Sequence, residues 1–274
     1  MPELPEAELA ASQLRAWVDR IDTALVNDER ALRGQDTTAF CRALEGRTIE
    51  KVERLGKHIV ADLGGGRAWW IHLGMSGRLA RREADDLPAA TRWAVRSQSR
   101  WVGLVDPRIF GRTAAGERSW VLATAKLDDL GPDALVIRKK ALATALGGTR
   151  RAVKTALMDQ SLVAGLGNIQ VAEALFRARL HPARRSDTLD EAEVAALWRG
   201  MRGTLRDTLR DLRDQVSRAE SSGEVIYMSD GASENPFQVY GREGEPCVRC
   251  GAPLERIVQG GRSSFFCPDC QPPR

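Results

Sequence analysis

Cys247-Val248-Arg249-Cys250 and Cys267-Pro268-Asp269-Cys270 are two cysteine pairs, each with two residues between its members, and 16 residues separate them. Thiolates at this spacing make two tight knuckles, which suit one tetrahedral zinc ion better than a disulfide framework. Between the pairs, Leu254–Gln259 and Arg262–Phe266 hold β-prone runs around a Gly260-Gly261 turn. The sequence therefore predicts a β-hairpin zinc finger with one structural Zn2+ on Cys247, Cys250, Cys267 and Cys270. With so few apolar residues, the hairpin should need the metal to fold. The fifth cysteine, Cys41, stands alone, as in a reducing, cytoplasmic setting.

Upstream of the finger the pattern is helical. Val194, Leu197, Met201, Leu205, Leu209, Leu212 and Val216 recur at steps of three and four, which predicts a long amphipathic helix with Thr188-x-x-Glu191 as its capping box. Two shorter helices, Lys154–Ala164 and Ile169–Ala178, are expected on either side of Gly165-Leu166-Gly167-Asn168, a joint like a helix-turn-helix hinge. Ser217–Asn235 reads as a polar loop. Before the Gly147-Gly148 pair the chain turns strand-rich: a first helix carrying Leu14, Val18 and Ile21 precedes β-like runs at Ile49–Arg54, His58–Leu63, Ala68–Leu73 and Trp101–Val105. The expected division is 1–147, 148–235 and 236–274. At 274 residues and 43% hydrophobic content the chain can bury substantial cores. No apolar run approaches the ~20 residues of a membrane span. A net charge of +4, from 41 basic and 37 acidic side chains, suits a polyanion partner without proving one.

Met1-Pro2-Glu3-Leu4-Pro5-Glu6 opens the chain. Removal of Met1 would leave a secondary amine at Pro2, with a pKa about two units below that of a lysine. Such an amine attacks aldehydes and forms an iminium that cannot lose its charge through nitrogen, an electron sink with Glu3 beside it for proton transfer. The same residues also read as a helix start, with Pro5 at the first helical position and Glu6 and Glu8 facing the positive dipole end.

Five blocks, in this order, carry a resemblance that runs nearly end to end: the Pro-Glu-Leu-Pro-Glu start; His72-Leu73-Gly74-Met75-Ser76-Gly77; Asp106-Pro107-Arg108-Ile109-Phe110-Gly111; Met158-Asp159-Gln160 through Gly165-Leu166-Gly167-Asn168-Ile169; and Val239 through Cys247 into the finger. The chain resembles the formamidopyrimidine-DNA glycosylase and endonuclease VIII family of base-excision repair, with Leu4 and the Gly-Arg-Glu-Gly-Glu-Pro-Cys segment leaning toward formamidopyrimidine-DNA glycosylase. The resemblance implies an α+β, multi-domain fold: an N-terminal β-sandwich with flanking helices, a helical domain with a helix-two-turn-helix, and the finger. It implies a monomer, nucleoid-associated, whose partner is damaged double-stranded DNA. It also implies a bifunctional glycosylase and abasic-site lyase acting on oxidised purines, with Pro2 as nucleophile, Glu3 as proton-transfer group, Lys57 at β-elimination and Arg262 at the second elimination and phosphate binding. Met75, Arg108 and Phe110 match the side chains that fill the hole left by an extruded base. Arg150, Lys154 and Asn168 match phosphate or lesion-side positions, with His72 as a further DNA contact.

Three departures bear on substrate. Gln170 stands where the family has an aromatic, Ser222-Gly223-Glu224-Val225-Ile226-Tyr227-Met228 replaces a Gly-Lys-x-Gly-Tyr-Phe loop, and Thr91-Arg92-Trp93-Ala94 replaces a His-rich segment. They keep open a paralogue with shifted lesion preference, for oxidised pyrimidines or abasic sites, and a non-catalytic damaged-DNA-binding zinc protein. An N-terminal-proline tautomerase is the third class, though such chains are shorter and need no zinc hairpin.

Overall fold

The computed structural model describes residues 2–17, 19–82, 87–222 and 235–273. Val18 and most of the Ser217–Asn235 segment lie outside the described residues. The chain folds as two compact units, residues 2–129 with 212–222 in one, and 130–211 with 235–273, which include the finger, in the other. No described helix is long and apolar enough to cross a membrane.

The first unit runs α1 (Leu4–Trp17), β1 (Thr23–Val26), α2 (Thr37–Leu44), β2 (Lys51–Leu55), β3 (His58–Asp62), β4 (Arg67–His72), β5 (Arg78–Arg82), β6 (Thr91–Ser97), β7 (Arg100–Val105), β8 (Arg112–Glu117) and α3 (Arg118–Ala125). Its strands form two four-stranded antiparallel sheets, ordered β1-β6-β7-β5 and β2-β3-β4-β8. Alternation decides what each sheet turns inward. Ile59 and Ala61 of β3, Trp69 and Ile71 of β4 and Ala115 of β8 share one core with Trp93 and Val95 of β6 and Val102 and Leu104 of β7. Trp69 meets Trp93 edge-on at 5.0 Å between ring centroids, a favoured aromatic geometry, and its indole N–H donates to the Thr113 hydroxyl at 2.9 Å. The unit is the β-sandwich expected.

Four of its strands were not among the expected runs. β5 carries Arg78, Arg81 and Arg82, β6 carries Arg92 and Arg96, and β8 is Arg-Thr-Ala-Ala-Gly-Glu, poor in the branched and aromatic residues that mark a strand. Their pairing is set by neighbours: Ala114 and Ala115 lie opposite Trp70 and Trp69, whose bulk leaves room only for small partners.

The second unit contains α4 (Lys139–Gly147), α5 (Val153–Leu157), α6 (Asn168–Ala178), the start of α7 (Glu191–Ser222), β9 (Glu255–Gln259) and β10 (Arg262–Phe266). The Gly147-Gly148 pair closes α4. The first hinge helix is shorter than expected, ending at Leu157 rather than Ala164. Asp159 turns its carboxylate onto the Ser161 N–H and hydroxyl, and the Gln160 amide bonds the Met158 and Leu166 carbonyls and the Gly165 N–H. These side chains offer the backbone an alternative to the helical ladder. The long helix exists and buries Val194, Leu197, Met201, Leu205, Leu209 and Leu212, but it continues to Ser222, so Ser217–Ser222 is helix rather than loop.

Its capping box is also displaced by two residues. The Asp190 carboxylate accepts the Glu193 N–H at 2.8 Å and the Glu193 carboxylate accepts the Asp190 N–H at 3.0 Å, while the Thr188 hydroxyl turns back to the Arg185 carbonyl. A reciprocal cap is worth about 1 kcal/mol. Asp190→Ala is therefore expected to lower unfolding free energy by about that amount and Thr188→Ala by a few tenths, as read by denaturant titration; equal losses would reassign the cap.

Candidate active site

α1 begins at Leu4, one residue before Pro5, so Glu3 is its N-cap: the Glu3 carbonyl accepts the Ala7 N–H at 3.1 Å, and the Glu6 carboxylate reaches back to the Glu3 N–H at 2.8 Å. This is half of a capping box, and it leaves Pro2 at the head of a fixed first turn. Glu3 is 1% exposed. Burial, and then the Glu3 charge, push the Glu6 carboxyl above the usual range. Farther along α1, Glu8 takes both Arg15 (2.8 Å) and Arg54 of β2 (2.7 Å), which ties the helix to the sheet.

Lys57 sits half-buried in the two-residue turn joining β2 to β3, where Gly56 adopts φ +58°. His58 follows it and His72 lies opposite across the ladder, the two imidazoles 4.9 Å apart. Burial pulls both pKa values down, to about 3 for His58 and about 4 for His72, with Lys57 adding to the effect in each case. Each Nδ1 accepts a hydrogen bond, His58 from the Trp70 indole at 3.0 Å and His72 from the Gly74 N–H at 3.1 Å. Both rings are therefore assigned as neutral Nε2–H tautomers, donors beside Lys57.

Two loops carry the large exposed side chains. Met75, 41% exposed, lies between β4 and β5, and Phe110, 45% exposed, between β7 and β8. The loops are locked together. Asp106, fully buried, accepts the Gly111 N–H at 2.6 Å and the Ser76 hydroxyl, so one carboxylate bonds both. Gly74, at φ +67°, has no Cβ because one would overlap the Phe110 carbonyl. Arg108 donates to the Met75 carbonyl at 3.2 Å, and its guanidinium sits 5.5 Å from the Phe110 ring centroid. Met75, Arg108 and Phe110 thus form one exposed cluster. Asp106, Ser76 and Gly74 stand in the sequence blocks with no role given; an acid directly ahead of a proline was the available signal.

In the second unit the four cysteine sulfurs lie within 4.8 Å of one another, with Cys247 to Cys270 at 4.0 Å and Cys250 to Cys267 at 3.4 Å. A tetrahedral zinc ion with bonds of about 2.3 Å sets its sulfurs about 3.8 Å apart, so the four thiols fit the ion. The Arg249 N–H points at the Cys247 sulfur and the Cys270 N–H at the Cys267 sulfur, both at 3.4 Å, as knuckle geometry requires for thiolate ligands. The finger is anchored to α6. Glu173, buried, accepts the Gln238, Val239 and Tyr240 N–H groups, all at 3.0 Å. Gln271 joins the Cys267 N–H to the Leu180 carbonyl, and Arg249 caps the Phe176 carbonyl. Sequence reasoning missed these anchors.

Arg262 opens β10, exposed, next to the Gly260-Gly261 turn. Lys154 is 1% exposed, and its ammonium donates to the Ser263 carbonyl at 2.7 Å and the Ser264 hydroxyl at 2.6 Å, the two residues after Arg262. Burial, then the Arg262 charge, bring its pKa to about 8. Asn168 starts α6 with its side-chain oxygen buried and without a hydrogen-bond partner among the described residues. Arg150 is exposed, 3.9 Å from Asp187. Gln170 points away from solvent, its amide donating to Thr208 of α7 at 3.0 Å and accepting from Thr204.

Family models match nearly the whole chain: the formamidopyrimidine-DNA glycosylase N-terminal domain over residues 1–113, the H2TH domain of the same glycosylase over 130–219, and the zinc finger found in FPG and IleRS over 244–273. The formamidopyrimidine-DNA glycosylase of Gluconobacter oxydans is 40% identical over 288 residues, covering 99% of this chain and all of that protein. The crystal structure of MutM (Fpg) from Thermus thermophilus superposes with a TM-score of 0.79 at 35% identity, covering 98% of each chain. Lactococcus lactis Fpg in complex with DNA containing Fapy-dG superposes at 0.82, with 28% identity, over 99% of this chain and 100% of that one. Fold, finger and matched length agree, and the chain belongs to the formamidopyrimidine-DNA glycosylase family.

Proposed function

We propose that this protein is a bifunctional DNA glycosylase and abasic-site lyase that removes oxidised purines, such as 8-oxoguanine and formamidopyrimidines, from duplex DNA. The observation that carries the reading is the head of α1, where Pro2 immediately precedes a buried N-cap carboxyl, in a chain matched end to end by glycosylases. Relatives of the same fold, solved with DNA containing Fapy-dG, carbocyclic 8-oxo-G or an abasic site, support the substrate class.

A damaged base inside a duplex cannot be reached in place and must be swung out at a cost of a few kcal/mol. Met75 and Phe110 are the apolar wedges that fill the gap, and Arg108 supplies a planar donor for the orphaned base. The Pro2 nitrogen attacks C1′ as the glycosidic bond breaks, and the base leaves with the bonding pair and takes up the proton the nitrogen sheds; Glu3 then delivers a proton to the sugar ring oxygen, the C1′–O4′ bond opens, and the nitrogen lone pair forms the C=N bond. The resulting iminium acidifies the C2′ proton. Its removal, at Lys57, expels the 3′ phosphate, and a second elimination assisted by Arg262 expels the 5′ phosphate. His72, Asn168 and Arg150 hold phosphates, which gives register without reading sequence. The buried Lys154 acts on the finger segment that carries Arg262. Zinc contributes structure alone, by ordering the hairpin that presents Arg262.

Borohydride trapping on an abasic-site duplex tests the nucleophile: wild-type protein should form a covalent adduct through Pro2, Pro2→Gly should lose most of it, and Glu3→Gln should bind DNA normally yet excise 8-oxoguanine at least about 100-fold more slowly. Wild-type excision by Glu3→Gln removes that residue from the mechanism, and salt-sensitive binding without any adduct leaves only a DNA-binding protein.

Cys250→Ser, or zinc extraction by a chelator, should unfold the hairpin and weaken DNA binding at constant salt, with zinc content falling from one ion per chain. Retained stoichiometric zinc in Cys250→Ser would refute the ligand assignment.

A further inference from the structure

We infer that Arg92 is a positioning residue for base extrusion, strapping the backbone of the loop that bears Arg108 and Phe110. The inference rests on the glycosylase reading. Arg92 lies at the start of β6, in the segment that departs from the family's pattern. Its Nε donates to the Asp106 carbonyl at 2.6 Å and its Nη2 to the Pro107 carbonyl at 3.1 Å, while Nη1 faces Asp28 at 3.4 Å. One guanidinium therefore bonds the two residues immediately before Arg108.

The strap is itself held from behind. The Asn27 and Asp28 N–H groups both donate to the Arg92 carbonyl, and the Asn27 side chain bonds the Thr91 carbonyl at 3.1 Å. Asp28 also takes Arg30, which, with the Arg92 charge, brings its carboxyl down to about 2, so the counterion stays ionised. Backbone and side chain of Arg92 are thus both fixed before they reach the loop.

The loop needs this support. Ile109, between Arg108 and Phe110, holds φ +58°, a conformation a β-branched side chain adopts only when its surroundings impose it. Arg112 secures the far side by donating to the Ile109 and Gly111 carbonyls, both at 2.7 Å, and the Asp106 carboxylate secures the floor. Arg92 secures the near side. A wedge that relaxes under load does not hold a stack open, so removing the near-side strap should weaken extrusion while leaving the chemistry at Pro2 untouched.

The test compares two substrates with one protein. A duplex carrying 8-oxoguanine needs extrusion; a duplex with a preformed abasic site has no base to unstack. Under single-turnover conditions with enzyme saturating, Arg92→Ala should excise 8-oxoguanine about tenfold more slowly, as expected for loss of charge-assisted hydrogen bonds, with borohydride trapping on the abasic duplex within about twofold of wild type. The fluorescence rise of 2-aminopurine placed beside the lesion, which reports wedge insertion, should fall in parallel with excision. Arg92→Lys, able to bond one carbonyl, should recover part of both signals.

Wild-type excision and fluorescence in Arg92→Ala would overturn the inference. So would equal losses of excision and trapping, which mark a general folding defect. A wild-type protein that neither excises nor traps defeats the glycosylase reading itself rather than the strap.

Discussion

The carboxylate of Asp106 is the interaction on which the exposed cluster depends. It is wholly buried, so its oxygens depend on protein donors, and they take the Gly111 N–H and the Ser76 hydroxyl. Those donors belong to two different loops. Pulling a buried carboxyl away from its donors costs more than parting a surface ion pair, because its oxygens are left without partners in a low dielectric. The loops bearing Met75 and Phe110 are therefore fixed relative to each other by electrostatics at their base, while their tips remain in solvent.

The second unit repeats the device. Among the described residues Glu173 has no cation as a bonding partner; it takes three consecutive backbone N–H groups, those of Gln238, Val239 and Tyr240, and so fastens the segment leading to the finger onto α6. The finger's own core is small, made of Val239, Cys247, Leu254, Phe266 and Cys267 side chains of which all but Phe266 cluster with Ala172 and Phe176 of α6. A hairpin with so little apolar surface is positioned by polar anchors and metal, and Lys154 adds a third attachment at Ser263 and Ser264.

What could be read in advance follows from range. Knuckle spacing and a Gly-Gly turn are local signals, and the cysteine cluster and the β9–β10 hairpin came out as expected. The long helix was legible from its period, but its cap was assigned to Thr188 because a capping box is a short pattern that recurs by chance; here Asp190 and Glu193 offer the same chemistry two residues later. Strands β1, β5, β6 and β8 were not read because their pairing comes from partners distant in sequence, and alanines in β8 look helical until tryptophans are placed opposite them. The five blocks marked the candidate-site residues Met75, Arg108 and Phe110, yet not what holds them. Arg92 and Glu173 hold backbone carbonyls and N–H groups, as Asp106 does at Gly111, and backbone partners leave no trace in a sequence.

Arginine usage reconciles a DNA-directed chain with a net charge of only +4. Much of the basic content is committed within the fold: Arg54 to Glu8, Arg177 to Asp207, Arg184 to Glu193, Arg242 to Glu245 and Arg92 to Asp28. An acid that neutralises a structural arginine lowers the net charge without touching the surface that meets phosphate. Arg150 and Arg262 belong to a different class, exposed and set at the ends of turns. Counterion release depends on how many phosphates are contacted, not on total charge, so a few such cations on rigid supports suffice to hold a duplex in register. The remainder of the arginines are then free to serve as clamps, as Arg92 does on the loop that carries the wedge.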